Sequence, residues 1–266
     1  MIDRRELLAR ARERRLPLPM VEKDYVLGWV LYGLTHIDGL VFKGGTALAK
    51  VYFPQTWRLS EDLDFVTAPQ QWESLPDQIQ DALDRTAAQS GIALAVRSRH
   101  SNPGYLQLKI RYSGPLGNNW LKVDVTPEPP TGRVLSKPLS RSYSDYPDFT
   151  VTVESLEEIF AQKLRALVQR KKVRDYYDVW KMEEAQVDRT EVARLFVGKL
   201  KVKGIRWNGP QDIFPPDLKT TLAGYWEKEL GRLVHPVPDM NTVLDQLKRT
   251  LGWLDSVPHQ PREPRQ

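Results

Sequence analysis

Lys43-Gly44-Gly45-Thr46 and the octapeptide Arg58-Leu59-Ser60-Glu61-Asp62-Leu63-Asp64-Phe65 are the stretches on which the fold reading turns. In an extended strand alternate side chains share a face, so Asp62 and Asp64 point one way while Leu63 and Phe65 point the other. The apolar pair can face a core, which leaves the two carboxylates ~7 Å apart at the backbone on the opposite face. Carboxylates held close repel unless a cation or proton sits between them, and Mg²⁺ takes oxygen ligands of this kind. Taken alone, the same pair also reads as a solvent-exposed strand face.

Working outward, Leu40-Val41-Phe42 before the glycines reads as a strand, and a helical pattern runs on through Tyr52. Gly44 and Gly45 therefore sit where a strand becomes a helix. Glycine lets backbone approach a ligand, and the N–H groups at a helix start attract phosphate. Thr46 either adds a hydroxyl donor or caps the helix. Downstream, Lys122-Val123-Asp124-Val125 offers a third strand acid: with Val123 and Val125 facing the core, Asp124 lies on the other side, like the first pair. Three strand acids beside a glycine turn suit a metal ion and a triphosphate. Two metals ~3.5–4 Å apart can hold the attacking and leaving oxygens of an in-line displacement.

The rest of the chain supplies the frame. Two helices split by Leu16-Pro17-Leu18-Pro19 occupy the first ~38 residues, and Gln71 to Ser90 reads as a polar-faced helix. Further strands are read at 93–97, 105–112 and 120–125, with Ser113 to Asn119 as a hairpin connection and 126–148 as an irregular crossing. After a strand at 150–153 the patterns turn helical. The expected organisation is a mixed α/β domain over 1–150, a helical domain over 151–255, and a flexible tail over 256–266.

The helical part opens with a capping box, Ser155 with Glu158. Lys163 falls on the apolar stripe of Leu156, Phe160, Leu164 and Leu167, where a lysine needs an anion or must reach past the stripe to water. Asp175 and Asp178 share one face of the following helix, as a site or as first-turn acids. From Lys163 to Arg174 six cations occur with no acid, among them Arg170, Lys171, Lys172 and Arg174. That stretch reads either as a solvated helix end or as a patch for RNA phosphates.

Composition excludes several classes. Of 266 residues, 41% are hydrophobic and 27% charged, as in a globular protein, and no apolar run reaches the ~20 residues that span a bilayer. The start carries no apolar core, so no secretory signal is read and a cytoplasmic protein with no membrane partner is expected. The absence of cysteine removes disulfides, thiolate metal sites and a cysteine nucleophile. The four histidines show no metal-ligand spacing, and no GxSxG, GxGxxG or GxxxxGK[ST] element occurs. The net charge of +5 permits a polyanionic partner without requiring one.

KGGTALAKVYFPQTWRLSEDLDF (43–65) resembles the signature of the AbiEii/AbiGii-type toxin nucleotidyltransferases, a branch of the DNA polymerase β-like superfamily. ESLEEIFAQKLRALVQRKKVRDYYDVW (154–180) is similar to that family's second block, and VEKDY (21–25) also matches. The resemblance implies an α/β (α+β) fold: a polymerase β-like mixed sheet with flanking helices, followed by a helical C-terminal domain. It implies that Asp62 and Asp64 ligate metal, with Asp124 as the third acid helping to deprotonate the attacking hydroxyl. Gly44, Gly45 and Thr46 would hold nucleotide phosphates, Arg58 and Ser60 would border the site, Lys163 would contact the triphosphate, and Asp175 and Asp178 would lie nearby. Fifteen residues separate Thr46 from Asp62, longer than the usual spacing in the superfamily.

The implied activity is transfer of a nucleoside monophosphate from an NTP, with Mg²⁺ or Mn²⁺, to an RNA acceptor. A tRNA 3′ end is favoured, with translation blocked and an antitoxin as partner. A protein acceptor, or a regulator that binds nucleotide or RNA without turnover, are the alternatives.

Overall fold

The computed structural model describes residues 1–54 and 56–258, which divide into two compact units. The first comprises Met1–Glu154 with Arg232–His235; the second comprises Ser155–Gly231 and the chain from Pro236.

The first unit opens with α1 (Arg4–Arg14), whose N-cap Asp3 accepts from the Glu6 amide at 2.9 Å, and α2 (Leu18–Leu34). Pro19 lies in the first turn of α2, where a missing N–H costs nothing. Strands β1 (Val41–Lys43), β2 (Asp62–Val66), β3 (Ala93–Asn102), β4 (Tyr105–Gly114), β5 (Gly117–Thr126), β6 (Val134–Pro138) and β7 (Thr150–Glu154) form one seven-stranded sheet in the order β3-β4-β5-β2-β1-β7-β6. Strands β2 and β5 run parallel, as do β1 and β7; the remaining neighbours are antiparallel. This mixed sheet with flanking helices is the architecture expected from the sequence.

Alternation assigns the two faces. Leu63 and Phe65 of β2, Leu106, Leu108 and Ile110 of β4, and Val123 and Val125 of β5 are all buried, and α2 packs on these three strands. Helix α4 (Leu75–Ser90) joins the same layer against α2 and β3. The intervening residues of β2, β4 and β5 form the opposite, accessible face.

Several boundaries differ from the sequence reading. Gly114 pairs with Gly117, so the hairpin loop is only Pro115-Leu116 and the strands run through most of the expected connection. Helix α4 starts at Leu75, with Pro76 in its first turn, and a short 3-10 turn over Pro69–Gln71 precedes it. The crossing at 126–148 contains an ordered edge strand, β6, paired along β7. Its proline sits at the end of that edge, where no ladder donor is lost from the sheet interior. The same crossing inserts Tyr143 and Tyr146 into the core, with ring centroids 5.2 and 5.8 Å from Tyr25 of α2.

In the second unit, α5 (Leu156–Gln169) begins at Ser155, whose hydroxyl accepts from the Glu158 amide at 3.3 Å. Glu158 is itself fully buried and pairs with Lys199 of α7 (Arg189–Val202) at 2.6 Å. Helix α6 (Val173–Met182) packs against α5 and α10 (Met240–Thr250), around a core that includes Phe160, Leu164, Tyr176 and Leu244. Two short helices, α8 (Leu218–Ala223) and α9 (Trp226–Leu230), complete the unit. Packing continues to Val257, which is buried, so the first residues of the expected tail belong to the folded unit; its remainder, 259–266, lies outside the described residues. Among the described residues no helix is long and apolar enough to cross a membrane.

Candidate active site

The register of the sheet gathers the sequence-predicted acids of the first unit. Asp64 is the direct Cα partner of Asp124 across the parallel β2–β5 pair, and Asp62 partners Lys122. On the other side Asp64 faces Lys43 of β1, and Asp124 faces Gln107 of β4. A single row therefore crosses four strands as Lys43, Asp64, Asp124 and Gln107, with Asp62 two residues before Asp64 on the same face. A one-residue slip of either strand would send the carboxylates into the core, so burial of the apolar face enforces this alignment.

Asp124 is held by two donors on one oxygen. Tyr105 donates its hydroxyl to Oδ1 at 2.6 Å, and Gln107 donates Nε2 to the same atom at 3.0 Å and to the Tyr105 oxygen at 2.8 Å. Burial, reinforced by the Asp124 carboxylate, raises the Tyr105 phenol well above its usual value, which keeps it a proton donor in this bond. Burial also pushes the Asp62 carboxyl up; Lys122 opposes this, and the neighbouring charges of Asp124 and Glu61 add to it. Sequence reasoning missed Tyr105 and Gln107. Their signal was the alternation Tyr105-Leu106-Gln107-Leu108, which puts both on the acid-bearing face once the short hairpin sets the β4–β5 register.

The glycine turn stands against the same acids. Gly44 has φ +78°, and a Cβ built there would lie 2.6 Å from Asp64 Oδ2, so both the backbone and the space demand glycine. A Cβ on Gly45 would meet Arg58 Nη2 at 3.0 Å and Ser60 Oγ at 3.5 Å. The buried Thr46 donates its hydroxyl to the main-chain carbonyl of Asp62, which ties the turn to the start of β2. Arg58 and Ser60 are buried beside this turn, with Arg58 Nη1 donating to the Leu59 carbonyl at 3.0 Å. Glu61 is clamped by both Nη atoms of Arg232 at 3.1 and 2.9 Å, and the Leu59 amide donates to the Leu233 carbonyl at 2.7 Å. These bonds bind the segment 232–235 into the first unit.

From Leu48 onward the helix is irregular: α3 (Gly44–Ala47) runs into a π-turn over Leu48–Tyr52. That turn carries Lys50 to a buried ion pair with Asp24 of the VEKDY segment at 2.8 Å, where Tyr143 also donates to Asp24 at 3.0 Å.

The remaining sequence-predicted residues belong to the second unit. Lys163 does meet anions on its stripe: Asp178 at 2.8 Å and Asp175 at 3.0 Å, both carboxylates buried. Arg170 adds a second cation on Asp175 at 2.8 Å. Burial would raise Asp175, but Lys163 and Arg170 outweigh it and hold the carboxyl at about 2. Lys171 donates to the carbonyls of Leu167 and Asp212 at 2.6 Å each, which caps the end of α5. Lys172 is the exposed N-cap residue of α6, and Arg174 lies 3.8 Å from Glu229.

The donor set bears on metal. Among the described residues no group of three or more His, Cys, Asp or Glu side chains is placed to hold a metal ion by itself. An open set of strand carboxylates matches Mg²⁺, which is usually bound by one or two carboxylates and completed by water and substrate phosphates. Burial is the main cause of the raised Asp62 carboxyl, with Asp124 and Glu61 adding to it, and a bound cation would act in the opposite sense.

The family model described as nucleotidyl transferase AbiEii toxin, type IV TA system, matches residues 29–251 and so takes in both units. The chain belongs to the AbiEii nucleotidyltransferase toxin family. The match spans the glycine turn, all three strand acids and the Lys163 cluster. Among solved structures, the fold is similar to MenT4, a nucleotidyltransferase toxin from Mycobacterium tuberculosis H37Rv, at a TM-score of 0.72 and 21% identity, covering 97% of this chain and 91% of that one. It is also similar to JHP933 from Helicobacter pylori at a TM-score of 0.60 and 17% identity, covering 90% and 93%. At these identities the likeness is one of fold. No curated protein sequence matches the chain. As an AbiEii member the protein is a nucleotidyltransferase of the toxin–antitoxin type.

Proposed function

We propose that this nucleotidyltransferase moves a nucleoside monophosphate from an NTP to the 3′ hydroxyl of an RNA, a tRNA first among them, and so blocks translation until an antitoxin restrains it. The observation that carries the reading is the cross-strand row of Asp64 and Asp124, with Asp62 beside it and Gly44 stripped of its side chain against Asp64. Asp62 and Asp64, together with Asp124, are the residues that would hold Mg²⁺, or Mn²⁺ in its place. Such an ion, when bound, screens triphosphate charge and orients its oxygens.

The chain's own groups do the rest. Tyr105 and Gln107 both occupy Oδ1 of Asp124, and among the described residues no donor occupies Oδ2. That oxygen takes the proton of the attacking hydroxyl as the new bond to the α-phosphorus forms and the bond to pyrophosphate breaks. The Gly44-Gly45 backbone gives the phosphates room beside Asp64, and the Thr46–Asp62 bond keeps that room from collapsing.

The test is incubation with Mg²⁺, each α-labelled NTP in turn, and a mixture of total RNA and cell protein, with Asp64→Ala alongside. Label in a tRNA-sized band, absent with the variant, is the expected result and names the nucleotide. Label on protein would replace the acceptor, and no label with NTP binding intact would leave a binding protein.

A further inference from the structure

The accessible face that carries the acids does not end with them. Two residues back along β5 from Asp124 stands Lys122, and two further stands Trp120; their Cα partners on β4 are Lys109 and Arg111. All four alternate with buried residues, so they share the face of Asp62, Asp64 and Asp124. Trp120 lies ~13 Å from Asp124 along the strand, by strand rise. It is 40% exposed, unusual for so large an apolar side chain, and Lys109 Nζ sits 4.6 Å from its ring centre. Among the described residues Lys109, Arg111 and Lys122 take part in no ion pair. The cations between Lys163 and Arg174 contrast with this: Lys163, Arg170 and Arg174 lie against carboxylates, and Lys171 is engaged by two carbonyls.

An aromatic ring flanked by unpaired cations is the pattern that binds single-stranded nucleic acid: bases stack on the ring and phosphates follow the charges. We infer that the β4–β5 ribbon is the docking track for the single-stranded 3′ end of the RNA acceptor, with a base stacked on Trp120 and phosphates on Lys109, Arg111 and Lys122. This rests on the RNA-transfer reading above and adds where the acceptor lies. The strand direction then leads the RNA from the hairpin end of the ribbon to the carboxylates. Because neither stacking nor phosphate contact reads base edges, the track selects a flexible single-stranded end rather than a sequence.

Two variants test this: Trp120→Ala, and Lys109→Ala with Arg111→Ala. Binding is followed by anisotropy of a fluorescein-labelled single-stranded oligoribonucleotide with a free 3′ hydroxyl, and transfer by labelled NTP on total tRNA. Trp120→Ala is expected to weaken RNA binding by about 5- to 100-fold, with Trp120→Phe recovering most of it. The double cation variant is expected to lower the slope of log affinity against log salt by roughly 0.7 for each phosphate contact removed. In both, KM for RNA rises while KM for NTP stays within twofold. Unchanged RNA affinity and salt slope, with wild-type labelling of RNA intact, would overturn the track alone. So would loss of binding on Arg170→Ala with Lys172→Ala when the ribbon variants bind normally. A wild-type protein that labels protein and binds no RNA would remove the RNA reading and the track together.

Discussion

Replacement of Gly44 by alanine separates two costs that usually arrive together. At φ +78° an alanine takes up a left-handed conformation, which costs about 1–2 kcal/mol. For a protein of this size that corresponds to a fall in Tm of about 2–8 °C. The added Cβ also lies 2.6 Å from Asp64 Oδ2, and ordinary contact begins at 3.4 Å. The carboxylate must therefore rotate away from the turn, and Asp64 Cβ, 3.2 Å from the added carbon, must give by a few tenths of an ångström, so the acid is displaced within the site. A misplacement approaching 1 Å in a reacting constellation costs up to ~10²-fold, so kcat is expected to fall about 10- to 100-fold.

Gly91 provides the matched comparison. Its φ is +73°, and a Cβ there would meet only Met1 Cβ, at 3.9 Å. Gly91→Ala is expected to lose the same few degrees of Tm and to keep its kcat within about twofold, since it bears the backbone cost alone. Thermal melts and labelled-NTP transfer on the two variants, side by side, give both numbers. Equal kcat in Gly44→Ala and Gly91→Ala would refute the reasoning, because Asp64 would then not need the position that the glycine gives it.

Three further expectations follow from the electrostatics and the brace. Asp62 carries a raised carboxyl, so the unfolded chain ionises first as pH rises above 3.8, and stability is lost through the interval up to the folded value. Asp62→Asn should thus melt higher than wild type at pH 7, while abolishing transfer, with the gain shrinking as pH falls below 3.8; a lower melt at pH 7 would contradict this. Asp175, at about 2, contributes stability that is present above 3.8 and lost as pH falls towards 2. Lys163→Met removes the cation shared by Asp175 and Asp178 and is expected to destabilise the fold by about 3–5 kcal/mol, read as a lower urea midpoint; less than about 1 kcal/mol would show that the pair is not a structural one. Thr46→Val keeps the shape but removes the bond to the Asp62 carbonyl, and should cost about 1–3 kcal/mol with a matching loss of kcat; an unchanged melt would remove the brace from the account.

Much of this protein is legible along the chain because its signals are local. Strand alternation places Asp62, Asp64 and Asp124 opposite Leu63, Phe65, Val123 and Val125, and the glycine pair marks a strand-to-helix turn, so the acid-bearing face follows from a period of two. The capping box announces α5 at Ser155 for the same reason: its donors and acceptors are three residues apart. Helical spacing puts Lys163 on the apolar stripe, where it needs either an anion or a route to water; that Asp175 and Asp178 supply the anion is decided by the packing of α6 on α5.

What no local pattern carries is register and partnership. Whether Asp124 stands beside Asp64 or one step away depends on how two strands slide before burial stops them, and whether Tyr105 reaches Asp124 depends on a two-residue loop nineteen residues of chain do not reveal by composition. The strand β6 and the buried Tyr143 and Tyr146 lie in a stretch rich in proline and serine, where an edge ladder and a waiting core override propensity. Within the basic stretch Lys163 to Arg174, Lys163, Arg170 and Arg174 lie against Asp175, Asp178 and Glu229 and Lys171 against backbone carbonyls, while Lys172 stays exposed. The cations of β4 and β5, scattered among apolar residues in the sequence, come to lie together beside the acids. Charge in a sequence is only a count; the fold decides which charges are already satisfied and which still face a ligand.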